Sequence, residues 1–412
     1  MWAGRCPKIR PHDARCTEKK SVPRALPYPS IVLAAWLLIF ALPQRTKGEG
    51  RADYSYEDYA ENDGRIHVTT QGVYFESDIK SWFSVNANFI SDAITGATPT
   101  GAPPNPPGSN NIGIAHMHDH RYAGSITGNF KFGNNTLSPE FAYSKEHDYR
   151  SVGLSLNDAI DFNEKNTTLS YGISHDFDQV LPNPGEDTSI TSPRNKGSTD
   201  GVLGISQILD QNTIVGANFT LGYSDGYLTD PYKRVFFLDF PYTVTIPPTP
   251  YTVFPEKRPD YKFRQVALVT LQHYFEPLNG AAELSYRFYH DSYGIIAHTA
   301  EIQWNQKIGK YVMVSPLFRF YTQTAASFYG TEFPGDPTNP TVFPTPPNYS
   351  SDYRLSALNS FTYGISLSVQ VQKHVSLEVA YKRYEMYGTD GVTNPGQYPT
   401  ANVFTGTLTI WF

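Results

Sequence analysis

ANVFTGTLTIWF, Ala401 to Phe412, ends the chain, and how it is read decides how the preceding residues are read. Side chains alternate between the two sides of a strand. Phe404, Leu408, Ile410 and Phe412 therefore share one side, with Gly406 among them. Val403, Thr405, Thr407, Thr409 and Trp411 share the other. One apolar face, one mostly hydroxyl-bearing face and an aromatic last residue fit the closing strand of a transmembrane β-barrel. A soluble edge strand can carry the same alternation, so the remaining residues must decide.

Composition leans towards β structure, with 29 Tyr, 25 Phe, 31 Gly and 32 Pro in 412 residues. Tyr and Phe favour strands and form the aromatic girdles of membrane barrels. Mean hydropathy is -0.40, and the one long apolar run is Ile31–Leu42 (IVLAAWLLIFAL). It is too short for a membrane helix, which needs about 20 residues, and suits a secretory leader behind the basic Arg5, Lys8, Arg10, Arg15, Lys19, Lys20 and Arg24. Residues 1–48 are expected to be that leader and 49–412 the barrel. No clean small-x-small cleavage site follows the run; a retained anchor or an upstream start codon is the alternative. Both cysteines, Cys6 and Cys16, fall within the leader. Without residues 1–48 the net charge moves from -6 to -13, with 24 basic and 37 acidic residues, a poor balance for a nucleic-acid partner.

Segments of alternating polarity then recur to the end of the chain. Sixteen strands are expected, at 51–60, 65–77, 82–92, 118–132, 135–147, 150–160, 166–178, 200–209, 213–226, 261–275, 279–291, 295–307, 311–323, 355–372, 375–387 and 401–412. Fourteen is the alternative, should 51–60 and one of the ambiguous pair 65–77 and 261–275 lie outside the wall. Most have the roughly 9–11 residues that a tilted strand needs to cross hydrocarbon. Connections after even-numbered strands are brief, such as Asp210-Gln211-Asn212 and Gly309-Lys310. Every long connection follows an odd-numbered strand: 93–117, 179–199, 227–260, 324–354 and 388–400. Tight turns on one rim and long loops on the other are expected of an outer-membrane barrel.

Several motifs carry a resemblance. Asp225-Gly-Tyr-Leu-Thr-Asp-Pro-Tyr-Lys-Arg-Val235, Tyr286-Arg-Phe-Tyr-His-Asp-Ser-Tyr-Gly-Ile295, Ala297-His-Thr-Ala-Glu301 and Leu317-Phe-Arg-Phe-Tyr-Thr-Gln-Thr-Ala-Ala-Ser-Phe-Tyr329 resemble an uncharacterised bacterial outer-membrane barrel family, domain of unknown function 3570. The likeness runs from about residue 50 to the end. It departs where Tyr293 replaces the usual Trp and in the proline-rich loops. The resemblance implies an outer-membrane barrel and, from the family's gene neighbours, a periplasmic redox protein as partner; a lipoprotein partner is a further expectation. It implies no substrate. The C-terminal Phe404, Leu408, Ile410 and Phe412 also resemble the signal read by barrel-assembly machinery.

Opposite the apolar face, Glu140, Glu283, Arg287, Glu301, Arg319, Glu378 and Lys382 fall in phase with small and polar residues. They are expected to line a pore, or else to brace the wall as a salt-bridge network. Their mixed signs predict weak ion selectivity. His116, His118 and His120 (HMHDH) share one side of an extended chain at strand spacing, a pattern able to ligate zinc or copper, or simply to sit at a membrane interface. His290 with Asp291 and His298 with Glu301 offer acid–base pairs, but no Gly-x-Ser-x-Gly elbow brings a nucleophile to them, and no catalytic residue is assigned. Cys-x-x-Cys-His is absent, and no cofactor is expected. Loops 227–260 and 324–354, rich in Pro and aromatics, are expected to constrict the barrel, gate it or cover it.

These readings converge on an all-β, antiparallel transmembrane barrel of the bacterial outer membrane, in contact with its lipid. The leading function is a weakly selective pore for small hydrophilic solutes. The alternatives are a non-conducting sleeve or receptor for a partner protein and, remotely, a membrane enzyme or a soluble β-rich protein. Homo-oligomers follow by analogy with porins of this size.

Overall fold

The computed structural model describes residues 50–104, 111–183, 188–238 and 253–412; the expected leader lies outside the described residues. The strands are β1 (Gly50–Glu61), β2 (His67–Lys80), β3 (Phe83–Pro99), β4 (Ile114–Phe132), β5 (Asn135–Lys145), β6 (Tyr149–Phe162), β7 (Thr167–Val180), β8 (Arg194–Asp210), β9 (Thr213–Gly226), β10 (Arg234–Val235), β11 (Phe254–Pro255), β12 (Tyr261–Phe275), β13 (Gly280–Asp291), β14 (Ile296–Ile308), β15 (Val312–Gln323), β16 (Leu358–Gln372), β17 (Val375–Gly388) and β18 (Thr400–Trp411). Sixteen of them form a closed antiparallel barrel, and β10 and β11 make a separate two-stranded ladder within one loop. Each of the sixteen corresponds to an expected strand. The fourteen-strand alternative fails because β1 pairs on both edges, with β2 and with β18.

Closure is made by the C-terminal stretch. β18 lies between β17 and β1 in unbroken register, from Arg51 opposite Trp411 to Glu61 opposite Ala401. Gly50 and Phe412 exchange backbone hydrogen bonds of 2.8 and 3.0 Å at its end. A closed ring leaves no unpaired edge, which is the condition lipid imposes on a sheet.

The apolar faces point outward. Phe404, Leu408 and Phe412 are exposed, as are Tyr171, Ile173 and Phe177 on β7 and Phe219, Leu221 and Tyr223 on β9. On β12, Val269 and Leu271 continue this belt beside Tyr286 and Leu284, while Leu268 and Val266 face inward, which explains its mixed sequence phase. At the short-turn rim, Trp82, Phe83 and Phe130 cluster, with Phe83 and Phe130 stacked at 4.8 Å, and Phe75 stacks on Phe412 at 6.0 Å. Exposed Tyr143, Tyr223, Tyr261, Tyr363 and Tyr387 mark the other rim. Two aromatic girdles around an apolar band are the pattern of a transmembrane barrel. Gly133 and Gly309, both at φ 63°, make two of the tight turns, a backbone geometry that a Cβ opposes.

Several strands outrun their expected ends. β3 continues to Pro99 and β4 starts at Ile114, so the expected loop 93–117 shrinks to 100–113. The last β4–β5 pair is Tyr122 with Lys145, leaving Ile114–Arg121 paired with β3 alone. Strand limits set by bilayer thickness stop at the lipid, whereas this hairpin keeps pairing above its neighbour.

Candidate functional site

Two features meet at the long-loop end: a polar inner wall and a layer of interlocked loops. All seven wall charges named above fall on the inward face. Glu140 accepts from Thr127 Oγ1 at 2.6 Å and Glu283 from Asn305 Nδ2 at 2.7 Å. Glu301 stands opposite Arg319, and Glu378 opposite Thr407. Arg287, Arg319 and Glu378 are exposed to the interior and the other four are half-buried. None of the seven takes part in an ion pair among the described residues. Wall pairs that do form involve other residues: Arg51 with Asp53 at 2.7 Å at the short-turn end and, nearer the loops, Asp92 with Arg121 at 2.6 Å, Lys262 with Asp291 at 2.9 Å, and Asp200 with Arg264.

Above this wall the loops lock together. The β3–β4 loop (100–113), the β9–β12 loop (227–260) and the β15–β16 loop (324–357) rise from three sectors of the ring, with four, two and four other wall strands between them. Chains from such distant sectors can touch only by reaching inward over the opening. They meet where Arg234 N donates to Thr100 O at 2.8 Å and Lys233 Nζ donates to Pro99 O. Gly101 is wedged there at φ +87°; a Cβ on it would lie 2.5 Å from Ser351 O and 3.0 Å from Arg234 O. Val235, Phe237 and Phe333 form a buried cluster beside the junction, and Lys257 exchanges two backbone hydrogen bonds with Tyr349. The remaining outer connections join in. Arg65 donates to Gln397 O at 3.0 Å, Ser189 N to Pro231 O at 3.0 Å, Tyr293 OH to Pro259 O at 3.2 Å, and Tyr232 OH to Asp148.

At the centre of this layer is an ionic knot built on the buried Asp352. Asp352 receives Arg258 Nη2 at 2.8 Å and Arg354 Nη2 at 2.6 Å, with Lys233 Nζ 3.9 Å away. Arg258 Nε also reaches Glu256 at 2.6 Å, and Arg354 reaches Asp230 at 2.6 Å. Three cations and three carboxylates thus balance. Burial opposes the charge on Asp352, but Arg354, Lys233 and Arg258 outweigh it and hold the carboxyl well below the usual range. Burial lowers the Lys233 ammonium, with Asp352 only partly offsetting it, and raises Glu256 against the pull of Arg258. Lys233 also lies over the Tyr353 ring at 5.7 Å. None of the knot residues figures among the expected site residues. Their sequence signal was the loop motif Asp225–Val235, whose Asp230, Lys233 and Arg234 all enter the junction.

His116, His118 and His120 share the outward face of the projecting β3–β4 hairpin, within β4 itself, and the rings of His118 and His120 are 5.7 Å apart. Among the described residues, three metal-donor groups gather in one place: Asp119, Glu146 and Asp148, whose ligand atoms lie within 4.8 Å of one another. Burial, with Asp119 and Asp148 beside it, pushes the Glu146 carboxyl up to about 7. The proposed acid–base pairs are separated by the wall. His290 faces outward to Gln265 while Asp291 is buried inside, and His298 faces outward to Tyr286 while Glu301 faces inward.

Solved structures with a similar barrel include the "Bacterial polysaccharide outer membrane secretin", 10% identical with TM-score 0.44, covering 89% of this chain and 98% of that one. CdiB from Acinetobacter baumannii is 8% identical with TM-score 0.48, covering 88% of this chain and 60% of its own. A BenF-like porin from Pseudomonas fluorescens Pf-5 is 9% identical with TM-score 0.42, covering 89% and 99%. A search of curated proteins returned no match. A family model does match, over residues 30–115 and 109–410, and the chain belongs to the family described as "Protein of unknown function (DUF3570)".

Proposed function

We propose that this barrel is a weakly selective channel of the bacterial outer membrane for small hydrophilic solutes, with its long loops outside the cell and its entrance narrowed by the loop layer. The observation that carries this reading is the set of seven inward charges, of both signs, without ion-pair partners among the described residues. Charges that braced the wall would be paired; charges left to solvent belong on an aqueous path. Mixed signs predict little preference between cations and anions. Recording from the purified protein in a planar lipid bilayer tests this: small, stable unitary conductance is expected, and electrical silence that persists after Asp352→Asn would sink it.

The ionic knot favours a second reading, a barrel held shut at its outer end that serves as a sleeve for a partner entering from the other rim. Silence in the wild type together with silence after Asp352→Asn supports the sleeve. Silence relieved by that substitution supports a channel closed by its loops.

A further inference from the structure

We infer that Lys145 and Arg150, on the outside of the barrel, bind the phosphate group of a membrane-lipid headgroup. The two residues stand directly opposite each other on β5 and β6. Both are exposed, and both lie on the outward face. Like charges placed opposite on a sheet repel. Among the described residues neither has a carboxylate partner, and Arg150 instead donates to the neutral Gln179 at 2.8 Å. Arg383, another outward cation near this rim, carries its own acid, with Glu385 at 3.4 Å. The unbalanced pair is therefore a local exception.

Its height on the wall identifies the missing anion. One row towards the membrane, Tyr143 stands opposite Val152, and one row further Phe141 is opposite Leu154. Tyr143, Phe141 and Leu154 are exposed and belong to the apolar belt. Lys145 and Arg150 thus occupy the first charged step above the hydrocarbon, where headgroup phosphates lie. A guanidinium offers two parallel donors to a phosphate and an ammonium adds a third, so one phosphate offsets the repulsion. Acyl chains of the same lipid would then lie on Phe141, Leu154 and Phe177.

The site rests on the reading of the outer wall as lipid-facing, and the test separates the two. Detergent-purified barrel is incubated with equal amounts of phosphatidylglycerol and phosphatidylcholine, and retained lipid is counted by native mass spectrometry. Heat-modifiable migration confirms that each variant is folded. Wild type should retain phosphatidylglycerol in preference, and K145Q/R150Q should lose that preference by about fivefold for each cation removed. R383Q, whose arginine already has an acid, should behave as wild type. Unchanged retention by K145Q/R150Q would overturn the site, as would complete displacement of the lipid by excess inorganic phosphate. Retention of neither lipid by wild type would overturn the lipid-facing wall itself.

Discussion

Lys233 and Asp352 come from different outer loops yet share one pocket, each with a side chain only 1% exposed and with Nζ 3.9 Å from Oδ1. Two charges withdrawn from water in this way tie the β9–β12 loop to the β15–β16 loop across the mouth. They remain favourable only because Arg258, Arg354 and Glu256 complete the set.

Asp352→Asn should loosen the mouth without unfolding the wall. It removes the carboxylate that the buried Lys233 and Arg258 share, a loss of about 3–5 kcal/mol. Trypsin should then cut after Lys233 and Lys257 faster than in wild type, and unitary conductance should rise. Because the Asp352 carboxyl is held below its usual value, its contribution is complete above about pH 4 and is lost only as pH falls further towards the folded value. Trypsin resistance at these two sites should accordingly be equal at pH 8 and pH 6.

Gly101→Val should separate the three-loop junction by a different route. The position has φ +87°, and a Cβ would collide with the Ser351 carbonyl at 2.5 Å. Strain of about 1–3 kcal/mol, with the clash in addition, is expected at a non-glycine residue held there. Hydrogen exchange at Arg234 N, which donates to Thr100 O, should speed up, while exchange in the β1–β18 ladder should not change.

Charge reversal inside the barrel tests the aqueous path. Glu283→Lys combined with Glu301→Lys turns two unpaired inward acids into bases and should move the reversal potential in a salt gradient towards anion preference. A shift of zero with conductance intact would mean that ions do not pass these residues.

The β5–β6 turn should respond to pH in the opposite sense to Asp352. Burial and the neighbouring Asp119 and Asp148 raise Glu146 to about 7. A raised carboxyl favours the folded turn when protonated, so this contribution is full below about pH 4.5 and is lost as pH climbs through 7. Allowing for partial exposure, the effect is about 1 kcal/mol. Exchange protection at Glu146 N, bonded to Tyr149 O at 2.7 Å, should fall between pH 5 and pH 8, and Glu146→Gln should abolish that dependence.

Much of the wall was legible in the chain because its rule is local. Phe361, Tyr363, Ile365, Leu367 and Val369 alternate with Ser360, Thr362, Gly364, Ser366 and Ser368, and a period of two assigns faces without knowledge of any neighbour. The seven inward charges followed from the same parity. Strand ends at the long-loop rim were less legible, as the β3–β4 hairpin shows, since nothing local marks where a strand leaves lipid and continues in water. The pairing of His290 with Asp291 as an acid–base couple failed for the reason that parity succeeds elsewhere: adjacent residues in a strand face opposite ways.

Read alone, the amino-acid order determined sixteen strands, their two faces and the sorting of short turns from long loops, because each is encoded in neighbours a few residues apart. Only the tertiary structure decided that the loops meet across the mouth, that Gly101 lies under Ser351, and that Lys233 meets Asp352. In a proline-rich loop a lysine and an aspartate look like ordinary surface charges. Their burial depends on where the ring carries the loops that hold them, and that geometry exists only once β18 has paired with β1.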